Sequence, residues 1–237
     1  MRILSLHPIT TELVFALGAG HHIVGRCEGC DYPEVANSIP SIGGHGEITV
    51  ENIKVFEPDL ILISNGQDEI NRWFPGTTIK IAPDSLETIY TSITSLGTLL
   101  EKHLEADMLV HEIKATLERI HNKVARFHTL RVYCEQDTAP PSLLIRDLIG
   151  IAGAEVYDGP IDVKKIQSFD PHIMLFITND DRAVELVLAR NQWSTIGAVQ
   201  RERILTIEEG LLRPTPRLMS GAKRLAKLLH GVEVNGV

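Results

Sequence analysis

Two cysteines separated by two residues, Cys27 and Cys30, are the first candidates for chemistry in this sequence. That spacing is found in zinc sites and in redox-active thiol pairs. A structural zinc site needs four ligands, but the only other cysteine is Cys134, and no histidine pair follows at zinc-finger spacing. A thioredoxin-like pair starts a helix, whereas Asp-Tyr-Pro follows this one. We therefore interpret the pair as part of a loop or as a ligand contact, with zinc and redox chemistry as alternatives.

Histidine side chains are the second group of candidates. His7 and His45 lie in polar stretches, and two imidazoles facing one cavity could hold Zn, Mn or the iron of a haem. In a mixed cage the carboxylates would come from Glu47, Asp180 or Glu209, and no spacing in the sequence selects among them. Surface or hydrogen-bonded histidines are the alternative interpretation. A metal centre is therefore a hypothesis, with His7 and His45 as its candidate ligands.

Motifs of the common catalytic and nucleotide-binding sites do not occur in the sequence. It contains no G-x-x-x-x-G-K-[ST] loop, no G-x-G-x-x-G, no G-x-S-x-G and no H-E-x-x-H. No nucleophile is paired with a base in a recognisable pattern. The sequence thus predicts a protein that is not an enzyme, has no catalytic residues and requires no cofactor.

The charge and hydropathy of the chain exclude several classes of protein. The formal net charge of −8 argues against nucleic acid and anionic membranes as partners. No apolar run reaches the roughly 18 residues of a membrane span. Residues 1–6 are strand-like, without the apolar region of a signal peptide, which favours the cytoplasm. The odd number of three cysteines favours a reducing compartment over a disulfide framework.

The longest periodic segment runs from Leu99 to Phe127 and predicts the only long helix of the chain. Its apolar residues recur every three or four positions, and polar residues fill the positions between them. The apolar stripe consists of Leu100, Leu104, Leu109, Ile113, Leu117, Ile120, Val124 and Phe127. Such a helix would be about 40 Å long, which is enough to connect two halves of a protein.

An internal repeat precedes and follows this helix at an offset of 113 residues. The matching positions are Val50, Ile53, Phe56, Glu57, Pro58, Asp59, Leu60 and Leu62 in the first copy, and Val163, Ile166, Phe169, Asp170, Pro171, His172, Ile173 and Leu175 in the second. Each copy predicts a short helix, a turn with proline and a buried strand. We therefore expect two similar α/β lobes joined by the long helix.

Strands alternate with helices throughout both halves, which predicts mostly parallel sheets. The first lobe is assigned to residues 1–98, the connecting helix to 99–128 and the second lobe to 129–237. Two polar, glycine-containing stretches, residues 26–33 and 43–47, lie in the first lobe. Loops of this kind next to strands and helices are where α/β folds place their binding sites.

Distinctive motifs occur along the whole chain. They are Arg2-Ile-Leu-Ser-Leu-His-Pro-Ile-Thr-Thr-Glu12, Leu17-Gly18, Ile23-Val-Gly25, Cys30-Asp-Tyr-Pro33, Gly43-Gly44, Glu57-Pro-Asp-Leu-Ile-Leu62 and Arg213-Pro-Thr-Pro-Arg217. Together they resemble the cobalamin and ferric-siderophore (class III, helical-backbone) substrate-binding proteins of ABC importers. Cys-Asp-Tyr-Pro and Cys134-Glu135 look most like the cobalamin-binding group. The resemblance implies an α/β fold with two Rossmann-like lobes, mostly parallel sheets, one long backbone helix and a ligand in the cleft between the lobes.

The resemblance also implies which residues contact ligand and transporter. Ligand contacts would come from His7, Cys30, Tyr32, His45, Asn65 and Gln67 in the first lobe, and from Glu135, Gln136, Asn179 and Arg213 in the second. Glu69 matches the acidic residue that family members present to a permease. Leu212 stands where the second such residue is expected, and a neutral side chain there would remove one charge-assisted contact. Gly29 and Asn65 occupy positions where aromatic rings that pack a corrin would be expected.

The function implied by the resemblance is the binding of a corrinoid or similar metal chelate without catalysis. The alternatives are a Zn, Mn or haem receptor of the same fold, and a cytoplasmic protein that reuses the scaffold. Its partners would be a small-molecule ligand and an ABC permease, with no nucleic acid and no membrane insertion. Family relatives are periplasmic or on the cell surface, whereas the start of this chain favours the cytoplasm.

Overall fold

The computed structural model describes residues 1–136 and 138–234, except for the side chain of His45. The described residues form two compact units, one from residues 1–112 with 214–216, the other from 113–136 and 138–213 with 217–234. The boundary between the units falls inside the longest described helix. None of the described helices is both long and apolar enough to cross a bilayer. The assignment of residues 99–128 to a separate connecting segment stays a prediction.

The first unit contains one parallel sheet flanked by helices. Its elements are β1 (Ile3–Ser5), α1 (Pro8–Ala16), β2 (Ile23–Arg26), α2 (Val50–Val55), β3 (Leu60–Ile63), α3 (Asp68–Trp73), β4 (Thr78–Lys80), α4 (Leu86–Leu99) and the start of α5 (His103–Val124). The strand order is β2-β1-β3-β4. Side chains of β1 and β3 pack against Ile53, Phe56 and Ile70 to form the core, because strands covered by helices are apolar on their buried faces.

The second unit has the same architecture. Its elements after α5 are β5 (Leu130–Gln136), α6 (Leu143–Ile151), β6 (Ala154–Val156), α7 (Val163–Phe169), β7 (Ile173–Ile177), α8 (Ala183–Leu188), α9 (Gly197–Gln200), β8 (Ile204–Ile207) and α10 (Leu218–His230). The strand order is β6-β5-β7-β8, again entirely parallel. The prediction of two similar α/β lobes with parallel sheets is therefore confirmed.

The two copies of the internal repeat have the same structure, including the backbone conformation of one equivalent residue. The first copy forms α2 and β3, and the second forms α7 and β7. Glu57 and Asp170, which are equivalent in the two copies, both adopt left-handed backbone conformations, with φ of 44° and 49°. This conformation ends each short helix and turns the chain toward the following strand.

An arginine at the start of the first strand of each sheet completes the repeat. Arg2 donates from Nε to the carbonyl oxygen of Glu57 at 3.0 Å, and Arg131 donates from Nε to that of Asp170 at 2.9 Å. The backbone N–H of Arg2 binds Asp59 Oδ2, and that of Arg131 binds His172 Nδ1. Both arginines thus satisfy carbonyl groups that a helix leaves unpaired at its C-terminus.

Replacing Glu57 with glycine should raise the free energy of unfolding by about 1 kcal/mol, because glycine adopts a positive φ without the steric cost of a Cβ. Chemical denaturation of the purified variant measures the change. Glu51→Gly in the first turn of α2 is the control and should lower stability by about 0.5–1 kcal/mol. A loss of stability in Glu57→Gly would contradict the left-handed conformation at this position.

The predicted helix over 99–127 is shorter at both ends. The apolar residues Leu99 and Leu100 end α4 instead, and α5 begins at His103. Glu101 has a φ of 56°, which breaks the helix between the two segments, and the N–H of Lys102 binds the carbonyl oxygen of Gly97 at 2.7 Å. Because a side chain at Gly97 would collide with Ala106, the close approach of α4 and α5 depends on this glycine.

The segment 214–216 belongs to the first unit although it lies far from the rest of that unit in sequence. Thr215 is fully buried and donates from Oγ1 to Glu12 Oε2 at 2.6 Å, and Glu12 itself is only 3% exposed. Beside them, the hydroxyl of Ser5 is hydrogen-bonded to Thr10 and Thr11. A buried carboxylate needs such partners, since burial without them is costly.

Candidate functional site

His7 lies directly after β1 and caps helix α1. Its Nδ1 accepts a hydrogen bond from the backbone N–H of Ile9 at 3.2 Å. A neutral imidazole whose Nδ1 accepts carries its proton on Nε2. Neither nitrogen then offers a lone pair to a metal ion, so this conformation disfavours His7 as a metal ligand. A ligand contact by the half-buried ring stays a prediction.

Gln67 has a structural role at the carboxyl ends of β1 and β3. Its Oε1 accepts from the N–H of Ser64 at 2.9 Å, and its Nε2 donates to the carbonyl oxygen of Leu6 at 2.7 Å. The residue is 3% exposed. The amide therefore joins the two loops rather than facing a ligand. Asn65, in contrast, is exposed in the turn that Gly66 makes with a φ of 82°.

The loop after β2 contains a disulfide bond between Cys27 and Cys30. The expectation that the cysteines are unpaired is thus wrong for this pair, and Cys134 is the free thiol. Cys30 is fully buried, so it presents no surface to a ligand, whereas Tyr32 is 46% exposed. Arg26 supports the loop by donating from Nη1 to the carbonyl oxygen of Cys27 at 3.0 Å.

The second polar loop, residues 43–47, lies beside this one. The N–H of Glu28 binds the carbonyl oxygen of Gly43 at 2.9 Å. Glu47, a candidate carboxylate for a metal cage, accepts from the N–H of Gly44 at 2.8 Å and so caps the turn His45–Glu47. The side chain of His45 lies outside the described residues. Its predicted ligand and metal contacts therefore stay predictions.

In the second unit, Glu135 forms an ion pair that the sequence did not reveal. Arg190 donates from Nη1 to Oε2 at 2.7 Å and from Nη2 to Oε1 at 2.6 Å, and Tyr133 donates from its hydroxyl to Oε2 at 2.7 Å. The carboxylate is 2% exposed and the arginine side chain 28%. This is the fork-to-fork geometry of a strong arginine–carboxylate pair.

Aromatic rings enclose the ion pair. The guanidinium of Arg190 lies 4.5 Å above the ring of Trp193 and 5.7 Å from that of Phe176, which is cation–π geometry. Tyr133 meets Trp193 edge-on, with ring centres 5.5 Å apart. Burial, together with the hydrogen bond to Glu135, raises the pKa of Tyr133 far above its usual value. Burial also raises the pKa of the neighbouring Cys134 thiol to about 12, so neither group ionises near neutral pH.

A pocket of about 170 Å³ opens beside this ion pair, entirely within the second unit. Its polar lining comes from the side chains of Glu135, Arg190, Asp180, Thr138 and Thr178, and its apolar lining includes Ala183 and Leu186. Asp180 accepts from the N–H of Arg182 at 2.9 Å. This hydrogen bond, with that from the Arg182 guanidinium, lowers the pKa of Asp180. The pocket is therefore lined by two carboxylate residues, each paired with an arginine: Glu135 with Arg190 and Asp180 with Arg182.

Three predicted site residues meet at the carboxyl ends of β5, β7 and β8. Gln136 donates from Nε2 to Glu209 Oε1 at 3.5 Å, and the N–H of Glu209 binds Asn179 Oδ1 at 3.3 Å. Asn179 also lines a second pocket of about 490 Å³, together with Glu208 and Arg224. Arg213 follows the turn Glu209–Leu212 and is half-buried. The sequence placed Gln136 and Asn179 in one site, and the structure brings them together.

Two further predictions concern docking and metal binding. Glu69 is exposed in the first turn of α3. Leu212 is 3% exposed and packs near Gly221, so its position presents no side chain at the surface. Within residues 1–136 and 138–234, with the His45 side chain set aside, no three His, Cys, Asp or Glu residues are grouped to hold a metal ion.

Comparison with known proteins links this geometry to a family. A family model described as periplasmic binding protein matches residues 3–210. A substrate-binding lipoprotein of an ABC transporter from Bacillus subtilis, itself uncharacterized, is 26% identical over 97% of this chain and 80% of its own length. The vitamin B12-binding protein of Vibrio cholerae is 23% identical over 96% of this chain and 88% of its own. A periplasmic haem-binding protein of Pseudomonas aeruginosa has the same fold, with a TM-score of 0.82 and 19% identity over 100% of this chain and 95% of its own.

Proposed function

Because the chain belongs to the periplasmic binding protein family, we propose that it is a substrate-binding protein that holds a corrinoid or related metal chelate for an ABC importer. The observation that carries the proposal is the convergence of Gln136, Asn179 and Glu209 at the carboxyl ends of three parallel strands, next to two pockets. In α/β folds, ligands bind at that edge of the sheet. Family members of this kind bind their substrates without converting them, and we propose the same for this chain.

A corrinoid is the favoured ligand for two reasons. The relative from Vibrio cholerae, a vitamin B12-binding protein, aligns with nearly the whole chain. In addition, the short helix α8 presents exposed apolar side chains at the pockets: Val184, 37% exposed, lines the pocket of about 490 Å³, and Leu186, 53% exposed, lines that of about 170 Å³. Large flat ligands are held mainly by apolar area with a few polar groups that orient them. These side chains supply the apolar area that the scarce aromatic residues do not.

Haem and bare metal ions are the less supported alternatives. The haem-binding protein of Pseudomonas aeruginosa shares the fold alone, at 19% identity. Haem binding through His7 would require the ring to give up its hydrogen bond to Ile9. A bare ion would need a cage, and the candidate carboxylates Glu47, Asp180 and Glu209 take part in other hydrogen bonds. Haem is nevertheless included in the test below because its spectrum distinguishes it directly.

The proposal predicts that the purified protein retains about one equivalent of hydroxocobalamin after desalting, as measured by visible absorption. Asn179→Ala should weaken this binding by about tenfold, the effect of one lost polar contact worth about 1.4 kcal/mol. Asn122→Ala on the exposed face of α5 is the matched control and should bind as wild type does. Retention of haem alone, or of neither chromophore, would contradict the corrinoid assignment.

The transporter partner and the cellular location of the protein are proposed from Glu69 and from the Cys27–Cys30 disulfide. Exposed Glu69 offers a carboxylate to a basic surface of an ABC permease, since complementary charges orient such complexes. The Cys27–Cys30 disulfide favours an oxidising compartment, so we place the working protein outside the cytoplasm. This proposal differs from the expectation drawn from the first six residues.

A further inference from the structure

We propose that the 170 Å³ pocket beside the Glu135–Arg190 ion pair is a subsite that accepts a carboxamide arm of the ligand and rejects a carboxylate arm. The inference rests on the proposed function, because it assigns a role within the binding of a corrinoid, whose ring carries short amide arms. It goes further by naming the chemical group that selects the ligand and the residues that recognise it.

The ion pair leaves both a donor and an acceptor for a ligand. A carboxylate has about four lone-pair sites, and within the described part of the chain Glu135 uses three of them, two for Arg190 and one for Tyr133. A guanidinium has five N–H groups, of which Glu135 takes two. A primary carboxamide offers N–H donors and a carbonyl acceptor. It can therefore pair with the remaining acceptor of Glu135 and a remaining donor of Arg190.

The charge of the lining discriminates between an amide and an acid. Two carboxylates, Glu135 and Asp180, line the pocket, and each is already paired with an arginine, Arg190 and Arg182 respectively, so the lining has no uncompensated positive charge. A carboxylate arm would find no uncompensated cation to offset its own charge and would also lack a donor for Glu135. Specificity of this kind arises because a buried polar group is left unpaired by the wrong ligand. A neutral amide carries neither penalty.

The size of the pocket fits one arm and not a whole ligand. Complete ligand pockets usually measure about 300–1,000 Å³, and this one is smaller, at about 170 Å³. Ala183, which is 8% exposed, and Leu186 supply apolar contacts for the methylene groups of the arm. Leu186 is also 53% exposed, so the outer part of its side chain would support the ring. The macrocycle itself therefore stays outside the pocket.

The test compares two corrinoids with the same ring: cobinamide, whose arms end in amides, one of them extended by an aminopropanol group, and cobyrinic acid, whose arms end in carboxylates. Wild-type protein should bind cobinamide at least tenfold more tightly, measured by absorption titration. In Glu135→Gln, which removes the negative charge and keeps the shape, this preference should fall by at least tenfold. Equal affinities in wild type, or an unchanged preference in a folded Glu135→Gln, would overturn the subsite.

A second variant avoids disturbing the ion pair. Ala183→Leu fills the pocket with an inert side chain and should weaken cobinamide binding by at least tenfold, whereas Ala189→Leu, at the exposed end of α8, should bind as wild type does. If Glu135→Gln does not fold, the comparison of Ala183→Leu with Ala189→Leu tests the subsite in its place. Full affinity in Ala183→Leu overturns the subsite alone. Failure of the wild-type protein to bind either corrinoid overturns the proposed function and the subsite with it.

Discussion

Replacing Arg190 with alanine should lower the free energy of unfolding by about 3–5 kcal/mol. The substitution removes both hydrogen bonds from Arg190 to Glu135 and leaves a carboxylate that is only 2% exposed, with Tyr133 as its remaining partner. Removing one partner of a buried ion pair is costly because the other charge stays buried without compensation. The truncation also removes the guanidinium that stacks on Trp193.

Chemical denaturation followed by tryptophan fluorescence and circular dichroism measures this loss. Arg182→Ala is the control, since its ion pair with Asp180 is exposed, and it should change stability by less than about 1 kcal/mol. The triple variant Arg190→Met, Glu135→Leu and Tyr133→Phe should recover much of the loss, because apolar residues of similar size often replace a buried ion pair at little cost and phenylalanine leaves no hydroxyl without the partner that Glu135 provides. Equal stabilities of Arg190→Ala and Arg182→Ala would refute the assigned burial.

Replacing Gly221 with alanine in the middle of α10 should lower the free energy of unfolding by about 2–3 kcal/mol. A Cβ at this position would collide with the backbone carbonyl of Leu211 and with the side chain of Leu212. The carbonyl oxygen belongs to the main chain, so it cannot move aside as a flexible side chain would. Overpacking of this kind typically costs about 1–3 kcal/mol.

The same substitution at Gly150 in α6 should have the opposite sign. Nothing lies within 4 Å of a Cβ built there, so alanine should stabilise the protein by about 0.5–1 kcal/mol through its higher helix propensity. The melting temperatures of the two variants should be recorded in parallel. They compare the same glycine-to-alanine change at a crowded position, Gly221, and at an open one, Gly150. A gain of stability in Gly221→Ala would show that α10 does not pack closely against the turn Glu209–Leu212.

The fold could be predicted largely because its signals are local. The helix–turn–strand repeat depends on residues within a few positions of one another, and both copies form as predicted. The junction of α4 and α5 was missed because the apolar stripe continues from Leu96 through Leu100 to Ile113 without a proline. The break is set by tertiary packing of Gly97 on Ala106, which periodicity does not report.

The candidate site was harder to predict because its determinants are distant in sequence. Glu135 and Arg190 are 55 residues apart, and Arg190 lies two residues after the end of α8, where an arginine is usually solvent-exposed. Gln67 was predicted to contact a ligand, yet its amide is used by backbone groups, one of them 61 residues away. Gln136 and Asn179 lie close together, each hydrogen-bonded to Glu209, because Gln136 ends β5 and Asn179 follows β7 after one residue, and these strands are adjacent in a parallel sheet.

The placement of residues 214–216 in the first unit has a consequence for synthesis on the ribosome. Domains usually fold in the order in which they emerge, but here the buried carboxylate of Glu12 receives the hydroxyl of Thr215 only after the second sheet has been translated. The first unit can collapse early, but its packing is complete only when residues 214–216 have been synthesised and bound. Assembly of this chain is therefore interleaved rather than sequential, and no single cut in the gene separates its two halves into complete units.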